Sequence, residues 1–430
     1  DRVRTGGSPR VGSVFRLVSY PGLVVVLLVV GCASPDYRAH RGAPPTACTA
    51  PVVQVPVPPP PDPRLTNLRT VPLLRLRGGG YARGYQYGAQ LAQKWRDTTG
   101  RLEAHAVGLA REYCPPKFLS QWFVRQYTAH VAQQFSADQR FPDEAYVTPE
   151  ERAYVQGIAD GAGIEAASVQ RMIAMVMLSD ASCSAFVAFG DATEDGRLIQ
   201  MRNLDWGDDE LGTARETVLL VHEPPGALRY LSIGFVGLVG SISGINEAGI
   251  SLSEIGADSS DRRLRGTPMP FLLERVLAQA RTLDQAVQLL RDVTTTGGYN
   301  FMVGSARERR GAVVERTAVR AGVFHISSEN YADDPHYVGF EGFDCRAAPA
   351  AHPEIRRFQR CNRGEGGSPV GQPAYEARYR KQIELFEQWG RELDLARAVE
   401  LTEAVAPKDN VHSILYDFDR GRVYLRNRAW

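Results

Sequence analysis

Cys183 stands between two serines at the head of "CSAFVAFGDATEDGRLIQMRNLDW", and the second half of that run ends in Arg202-Asn203-Leu204-Asp205. A thiol attacks a carbonyl only as thiolate, so it needs a base or a nearby positive charge. Arg202 can supply the charge. Two bases remain open: a histidine brought in by folding, or the α-amino group of the cysteine itself. The eight histidines are scattered and carry no local Cys–His signature. The amine route requires the bond between Ser182 and Cys183 to be cut. A freed α-amine, with an ordinary pKa of about 7.7–8.0, is a base suited to neutral pH. Taken singly, a cysteine among apolar strand residues is a small core hydrophobe, and Arg202 with Asp205 is an ion pair at a strand end. Only the combination carries the chemical reading.

Other chemistries are struck out by what the chain lacks. It contains no Cys-x-x-Cys and no His-Glu-x-x-His, so zinc of those types is not expected. The glycine runs "RGGGYARG" and "GFVGLVGSISG" lack the Gly-Lys-Ser/Thr ending of a phosphate loop and read as strand ends and turns. No Gly-x-Ser-x-Gly marks a nucleophile elbow. No cofactor motif is present, and thiol acyl transfer needs none.

The nucleophile must be positioned by the elements around it. "AFVAFGDAT" and "RLIQMRN", joined by Glu194-Asp195-Gly196, predict a hairpin. Ahead of it, residues 81–135 are helix-rich by spacing. Thr148-Pro149-Glu150-Glu151 is a capping box that starts a helix at 149, with Gly161 as its stop. A further helix, apolar nearly all round, is expected over 165–178. Beyond the hairpin come strands at "TVLLVHE", "RYLSIGFVG", "GSISGIN" and "GISLSEI", then helices over 268–292. Strands follow at "YNFMVGSA", "GAVVERTA" and "GVFHISS", with a helix near 374–390 and a closing hairpin, "HSILYDFDRGRVYLRN". The order predicts an α+β fold of mostly antiparallel sheets layered with helices.

The chain of 430 residues is 43% hydrophobic and 23% charged, ordinary globular composition. Fifty basic residues against 49 acidic leave a net charge of +1 with no basic stripe, which argues against a nucleic-acid partner. Arg10 and Arg16 precede "GLVVVLLVVGC", a run too short for a comfortable membrane span that reads as a signal-peptide core over 1–31. Its ending, Val-Val-Gly-Cys, resembles a bacterial lipobox, with Val29 in place of the usual leucine. That resemblance implies lipidation of Cys32, and Ala33 after it implies the periplasmic side of the outer membrane; ordinary cleavage nearby is the alternative. Residues 32–65 are so rich in proline that they form a semi-rigid tether. Cys345 and Cys361 flank a polar stretch that a disulfide could staple.

The hairpin segment resembles the peptidase C45, or penicillin acyltransferase-like, group of N-terminal-nucleophile hydrolases, and is more distantly similar to bile salt hydrolases and acid ceramidases. In that superfamily a cysteine opens a hairpin whose second strand ends in Arg-Asn-x-Asp. "RGGGYARGYQYGAQL", "YVQGIADGAGI" and "GINEAGISLS" look like further family segments in the expected order. The resemblance implies an αββα four-layer sandwich with an N-terminal helical segment. The chain would be cut between Ser182 and Cys183, leaving 66–182 as a separate chain bound to a catalytic domain over 183–430. Cys183 would be the nucleophile and its amine the base, held by Asp205. Arg202 would favour the thiolate. Asn246 would donate to the oxyanion, though Asn before Glu-Ala-Gly is also an ordinary turn residue. Arg378, in "EARYRK", matches a later family arginine, or is a solvated helix charge. Asn330 is the nearest candidate for a family asparagine, without the usual Thr-Asn-His around it. Residue 182 is Ser where several self-cleaving relatives have Gly. The implied substrate is a small acyl amide, cleaved through an acyl-thioester. A lipid esterase or phospholipase B-like activity on the same fold, and a tethered binding protein that never cleaves, are the alternatives.

Overall fold

Thr148 starts a helix in the manner its capping box requires. Its side chain accepts from the Glu151 N–H at 3.2 Å, and Glu151 Oε2 accepts from the Thr148 N–H at 2.8 Å. The computed structural model describes residues 71–111, 146–178, 182–190, 192–206, 212–257, 265–326, 393–408 and 410–427. It adds short pieces at 53–54 and 338–340 and single residues within 121–126 and 378–389. Cys32, most of the tether, Cys114, Asn330, Cys345 and Cys361 lie outside the described residues.

Strands β1 (Val53–Gln54) and β2 (Pro72–Arg77) lead into helices α1 (Gly80–Gln90) and α2 (Ala92–Arg111). Helices α3 (Pro149–Ala162) and α4 (Ala166–Leu178) follow. Then comes the hairpin of β3 (Ser182–Gly190) and β4 (Gly196–Asp205), as the sequence predicts. Strands β5 (Thr217–Glu223), β6 (Tyr230–Phe235), β7 (Ser243–Asn246) and β8 (Ile250–Ala257) precede α5 (Met269–Gln279) and α6 (Leu283–Arg291). Next are β9 (Gly298–Ser305), β10 (Arg310–Arg316), β11 (Ala321–Ile326) and β12 (Val338–Phe340). The chain ends in α7 (Leu395–Ala404), β13 (Asn410–Asp417) and β14 (Arg422–Asn427).

These strands form two sheets. A large one runs β1-β2-β5-β6-β7-β8-β9-β10-β11-β12, and a small one runs β14-β13-β4-β3. Leu74 and Leu76 of β2 and Val218 and Leu220 of β5 bury against α1, α3 and α4 through Tyr87, Tyr154, Ile158 and Ile173. Leu252, Phe301 and Val303 bury against Leu273, Leu277 and Leu290 of α5 and α6. Both sets of helices therefore cover the outer face of the large sheet. Helix α7 covers the outer face of the small sheet, packing Ala398 and Leu401 on Phe186, Met201 and Leu415. Between the sheets, Ile233 meets Ile414 and Tyr416. The layers are helix, sheet, sheet, helix: an α+β protein with the αββα order expected.

Several details differ from the sequence reading. The N-terminal segment is not purely helical, because β2 is a strand of the main sheet, parallel to β5. Gly161 does not stop α3; Gly163 does, in the left-handed conformation at φ 66°. Gly161 belongs instead to a close helix crossing. A Cβ on Gly84 would lie 2.1 Å from Tyr154 O, and one on Gly157 would lie 2.2 Å from Tyr81 O. Glycines on both α1 and α3 thus let the two backbones touch, and "RGGGYARG" is a helix start rather than a turn. Helix α7 was not anticipated from periodicity.

Candidate active site

Antiparallel pairing places Cys183 opposite Leu204 and Ala185 opposite Arg202, so all four side chains share one face of the hairpin. That face is the inner one. Arg202 leans diagonally toward the thiol, and its Nη2 donates to Cys183 Sγ at 3.1 Å. The same nitrogen lies 3.4 Å from Glu254 Oε2, and Arg202 Nε donates to Glu254 O at 3.0 Å. Cys183, Arg202 and Glu254 are all buried. Cys183 is a free thiol.

Burial pushes the Cys183 thiol up to about 12 in the uncut chain. Arg202 opposes the shift, Glu254 and Asp205 add to it, and the backbone N–H of Asp205 opposes it by donating to the sulfur. The thiol is therefore neutral at neutral pH. Burial also pushes the Glu254 carboxyl up to about 7, against the pull of Arg202.

Asp205 pairs with Ser182, on the other face of the hairpin. Its Oδ2 accepts from Arg378 Nη2 at 2.5 Å and its Oδ1 from Asn410 Nδ2 at 2.9 Å. Arg378 Nη2 also donates to Ser184 Oγ at 2.8 Å. Burial raises the Asp205 carboxyl above the ordinary carboxylate value, with Arg378 and Asn410 opposing. The structure thus brings Cys183, Arg202, Asp205 and Arg378 to one end of the hairpin, and Arg378 is bound to Asp205 rather than solvated.

Asn246 does not join them. Its amide NH₂ donates to Leu277 O at 3.0 Å and Ala280 O at 2.7 Å, while its Oδ1 accepts from the N–H groups of Ala248 and Ile250. Every hydrogen-bonding site of the side chain is used to fasten the β7–β8 turn to the end of α5. Asn246 is bonded to Ile250, the first residue of β8, which lies four residues and roughly 13 Å of strand from Glu254. The expectation of an oxyanion donor at Asn246 is corrected to the turn role. Asn330 and the lipidation residue Cys32 are outside the described residues, as is the side chain of Ser182.

Glu254, Ser184, Asn203 and Asn410 were missed. Asn203 Nδ2 donates to Ser184 Oγ at 3.1 Å and to Thr402 O at 3.0 Å, tying the hairpin to α7. The one signal available was Glu254 itself, an acid inside the strand-like "ISLSEIGA". Among the described residues no group of acidic, histidine or cysteine side chains is placed to hold a metal.

Residues 192–332 match the family described as "Acyl-coenzyme A:6-aminopenicillanic acid acyl-transferase", a stretch that holds Arg202, Asp205 and Glu254 but begins after Cys183. The resemblance to the penicillin acyltransferase-like group is borne out over that segment. "Protein dcd1A" of Dictyostelium discoideum is 25% identical over 303 residues, 66% of this chain and 64% of that protein, so the chain spans under two thirds of its length. Among solved structures, an N-acylethanolamine-hydrolyzing acid amidase ortholog of Caenorhabditis elegans is 19% identical, with a TM-score of 0.39 over 57% of this chain and 99% of that one. Penicillin V acylase from Agrobacterium tumefaciens is 13% identical, with a TM-score of 0.35 over 56% and 82%. The matched family is one of acyl-transferases.

Proposed function

We propose that the chain is a self-processing cysteine hydrolase or acyltransferase of linear amides, with Cys183 as its N-terminal nucleophile. The observation that carries this reading is the 3.1 Å contact of Arg202 Nη2 with Cys183 Sγ, at a strand start where Asp205 flanks the bond to be cut.

In the uncut chain, Cys183 Sγ loses its proton and attacks the Ser182 carbonyl carbon. The bond from that carbon to the Cys183 nitrogen breaks as the nitrogen takes a proton, leaving a thioester. Water hydrolyses it, giving the Ser182 carboxylate and a free Cys183 thiol and amine. The new amine lies beside Asp205, which can hold it by a charge-assisted hydrogen bond. In turnover the amine takes the thiol proton and the thiolate attacks the substrate carbonyl. The leaving amine takes that proton as the C–N bond breaks. The acyl group remains on sulfur until water or an acceptor amine removes it. Arg202 stabilises the thiolate throughout.

Intact mass spectrometry of the purified protein beside Cys183→Ala tests the reading. Two chains from the parent, one beginning at Cys183, and one uncut chain from the variant are expected. An uncut parent that still turns over an N-acyl amine would overturn the amine-base mechanism, while a lysophospholipid assay run in parallel addresses the ester alternative.

The lipobox-like run supports placement at the cell envelope through a lipid on Cys32. Among the described residues no helix is long and apolar enough to cross a membrane. Radiolabelled palmitate entering the parent but not Cys32→Ala is the expected result.

A further inference from the structure

Behind the thiol, the inner face of the small sheet carries polar groups that the chemistry above does not use. On β13, Ile414 sits opposite Arg202, His412 opposite Leu204 and Tyr416 opposite Gln200. His412 and Tyr416 therefore flank Arg202 as its two diagonal neighbours, about 7–8 Å away between backbones. The field of Arg202 acts on both side chains.

All three are fully buried. Yet Arg202 Nη1, both ring nitrogens of His412 and the Tyr416 hydroxyl have no hydrogen-bond partner among the described residues. Across the sandwich, Gln200 Nε2 donates to Ser253 Oγ at 2.9 Å, and Ser243, opposite Ser253 in the large sheet, has a buried hydroxyl that is also without a partner. Isolated lapses of this kind occur, but each buried, unsatisfied polar atom carries its full desolvation cost. Several of them on one face, next to the nucleophile, call for a common partner.

The chemistry of the set selects that partner. Arg202 repels a cation. An apolar molecule would leave every one of these atoms unsatisfied. Burial, with a smaller push from Arg202, depresses His412 to about 3, so the ring is neutral and presents one lone pair that an anion would meet unfavourably. A molecule that both donates and accepts fits an arginine N–H, a hydroxyl and a neutral imidazole together.

We infer that Arg202 Nη1, His412 and Tyr416, with Ser243 across the sandwich, form an internal hydration site behind Cys183, and that the water held there fixes the plane of the Arg202 guanidinium. Buried water of this kind makes about three hydrogen bonds and is part of the structure. One end of Arg202 is tied to Glu254 and the thiol; the water ties the other. His412 is then a positioning residue that acts on Cys183 through water and Arg202. This consequence for the thiol rests on Cys183 being the nucleophile, whereas the hydration site itself does not.

A high-resolution crystal structure of the full chain tests the site. Ordered water within hydrogen-bond distance of Arg202 Nη1 and of His412 or Tyr416 is expected. Direct pairing of these side chains with one another, or a dry interior, overturns it. The positioning role is read from the pH dependence of Cys183 alkylation by iodoacetamide, which needs no substrate and no self-cleavage. His412→Leu should lower the alkylation rate at a given pH about tenfold, and His412→Gln, which keeps a donor and an acceptor, should restore it. If both variants alkylate like the parent, the water is only a filler and the positioning role falls. Should His412→Leu fail to fold, Tyr416→Phe, which removes one oxygen, carries the same expectation and the same refutation. Absence of self-cleavage in the parent, with the alkylation pattern intact, would sink the enzymatic proposal but not this one.

Discussion

Nη2 of Arg202 is shared by two groups, Cys183 Sγ at 3.1 Å and Glu254 Oε2 at 3.4 Å. One buried cation therefore balances a thiol that must ionise and a carboxyl that burial holds near neutrality. Most of the chemistry expected of this chain follows from that sharing.

Arg202→Gln should leave Glu254 buried without its counter-charge and Cys183 without its only adjacent cation among the described residues. Breaking a buried pair from one side costs about 3–5 kcal/mol. Urea unfolding should register that loss, and alkylation of Cys183 should slow at least in proportion to the thiolate lost. The double variant Arg202→Gln with Glu254→Gln should recover much of the stability and none of the reactivity. Recovery of both would mean that Arg202 is structural.

Stability should depend on pH through Glu254. Its carboxyl is raised from 4.5 to about 7 on folding. A raised acid favours the folded state where it is protonated. The contribution is complete below the unfolded value and lost as pH rises through the folded one, so its window is pH 4.5 to 7. The total is about 3 kcal/mol. Glu254→Gln is already neutral and should show a flatter stability curve across that window than the parent. Urea midpoints at pH 5 and pH 7 decide it: an identical drop in both proteins would refute the assignment. His412 works in the opposite sense, since its depressed value costs stability as pH falls from 6.5 toward 3. Comparing variant with parent cancels that contribution.

Gly157→Ala should destabilise the protein by about 2–4 kcal/mol, because the new methyl would press into Tyr81 O and force α1 and α3 apart. Gly100→Ala is the control. It lies in α2 with nothing within 4 Å of a Cβ, and it should gain about 0.5–1 kcal/mol from helix propensity. Equal effects at the two positions would contradict the backbone contact.

Asn246→Ala removes both donors to the end of α5 and both acceptors in the β7–β8 turn. It should cost about 2–4 kcal/mol in denaturant while the folded fraction keeps the parent's turnover. A large fall in turnover with stability unchanged would restore the oxyanion role that the structure withdraws.

If the chain cleaves itself at Cys183 as proposed, the two resulting chains should stay together. Strand β2 is hydrogen-bonded to β5, and buried Arg83 of α1 donates to Glu274 Oε1 at 3.0 Å and Tyr230 OH at 3.1 Å beyond the cut. Gel filtration in 1 M salt should give one species, because burial shields these contacts from screening. Separation without denaturant would show that the segment is only docked on the surface.

Much of this protein is legible in the residues themselves. A capping box declares the start of α3 because its two hydrogen bonds are local, and the β3–β4 hairpin is declared by its turn and by runs of strand-forming residues. The diagonal placing of Arg202 beside Cys183 follows from that hairpin, since register is local once the turn is set. Strand β2 was missed although Leu74-Arg75-Leu76-Arg77 alternates buried and exposed, because the alternation spans only four residues before a helix begins. Gly161 misled because a glycine near a helix end looks the same whether it caps the helix or admits a neighbour.

The sequence by itself determined the candidate nucleophile, its adjacent cation and the hairpin that joins them, because those relations span one turn of chain. Its strand and helix blocks also carried a layered α+β fold, and the family resemblance supplied the αββα order. Only the tertiary structure decided what surrounds them. Glu254 and Arg378 reach the site, and His412 comes to stand beside Arg202, through pairings between strands and packing between layers distant in sequence. Asn246 is carried away from the site by the same registers. Burial, which neutralises the thiol and lifts the carboxyl, belongs to no residue alone; it exists only once the two sheets close over them.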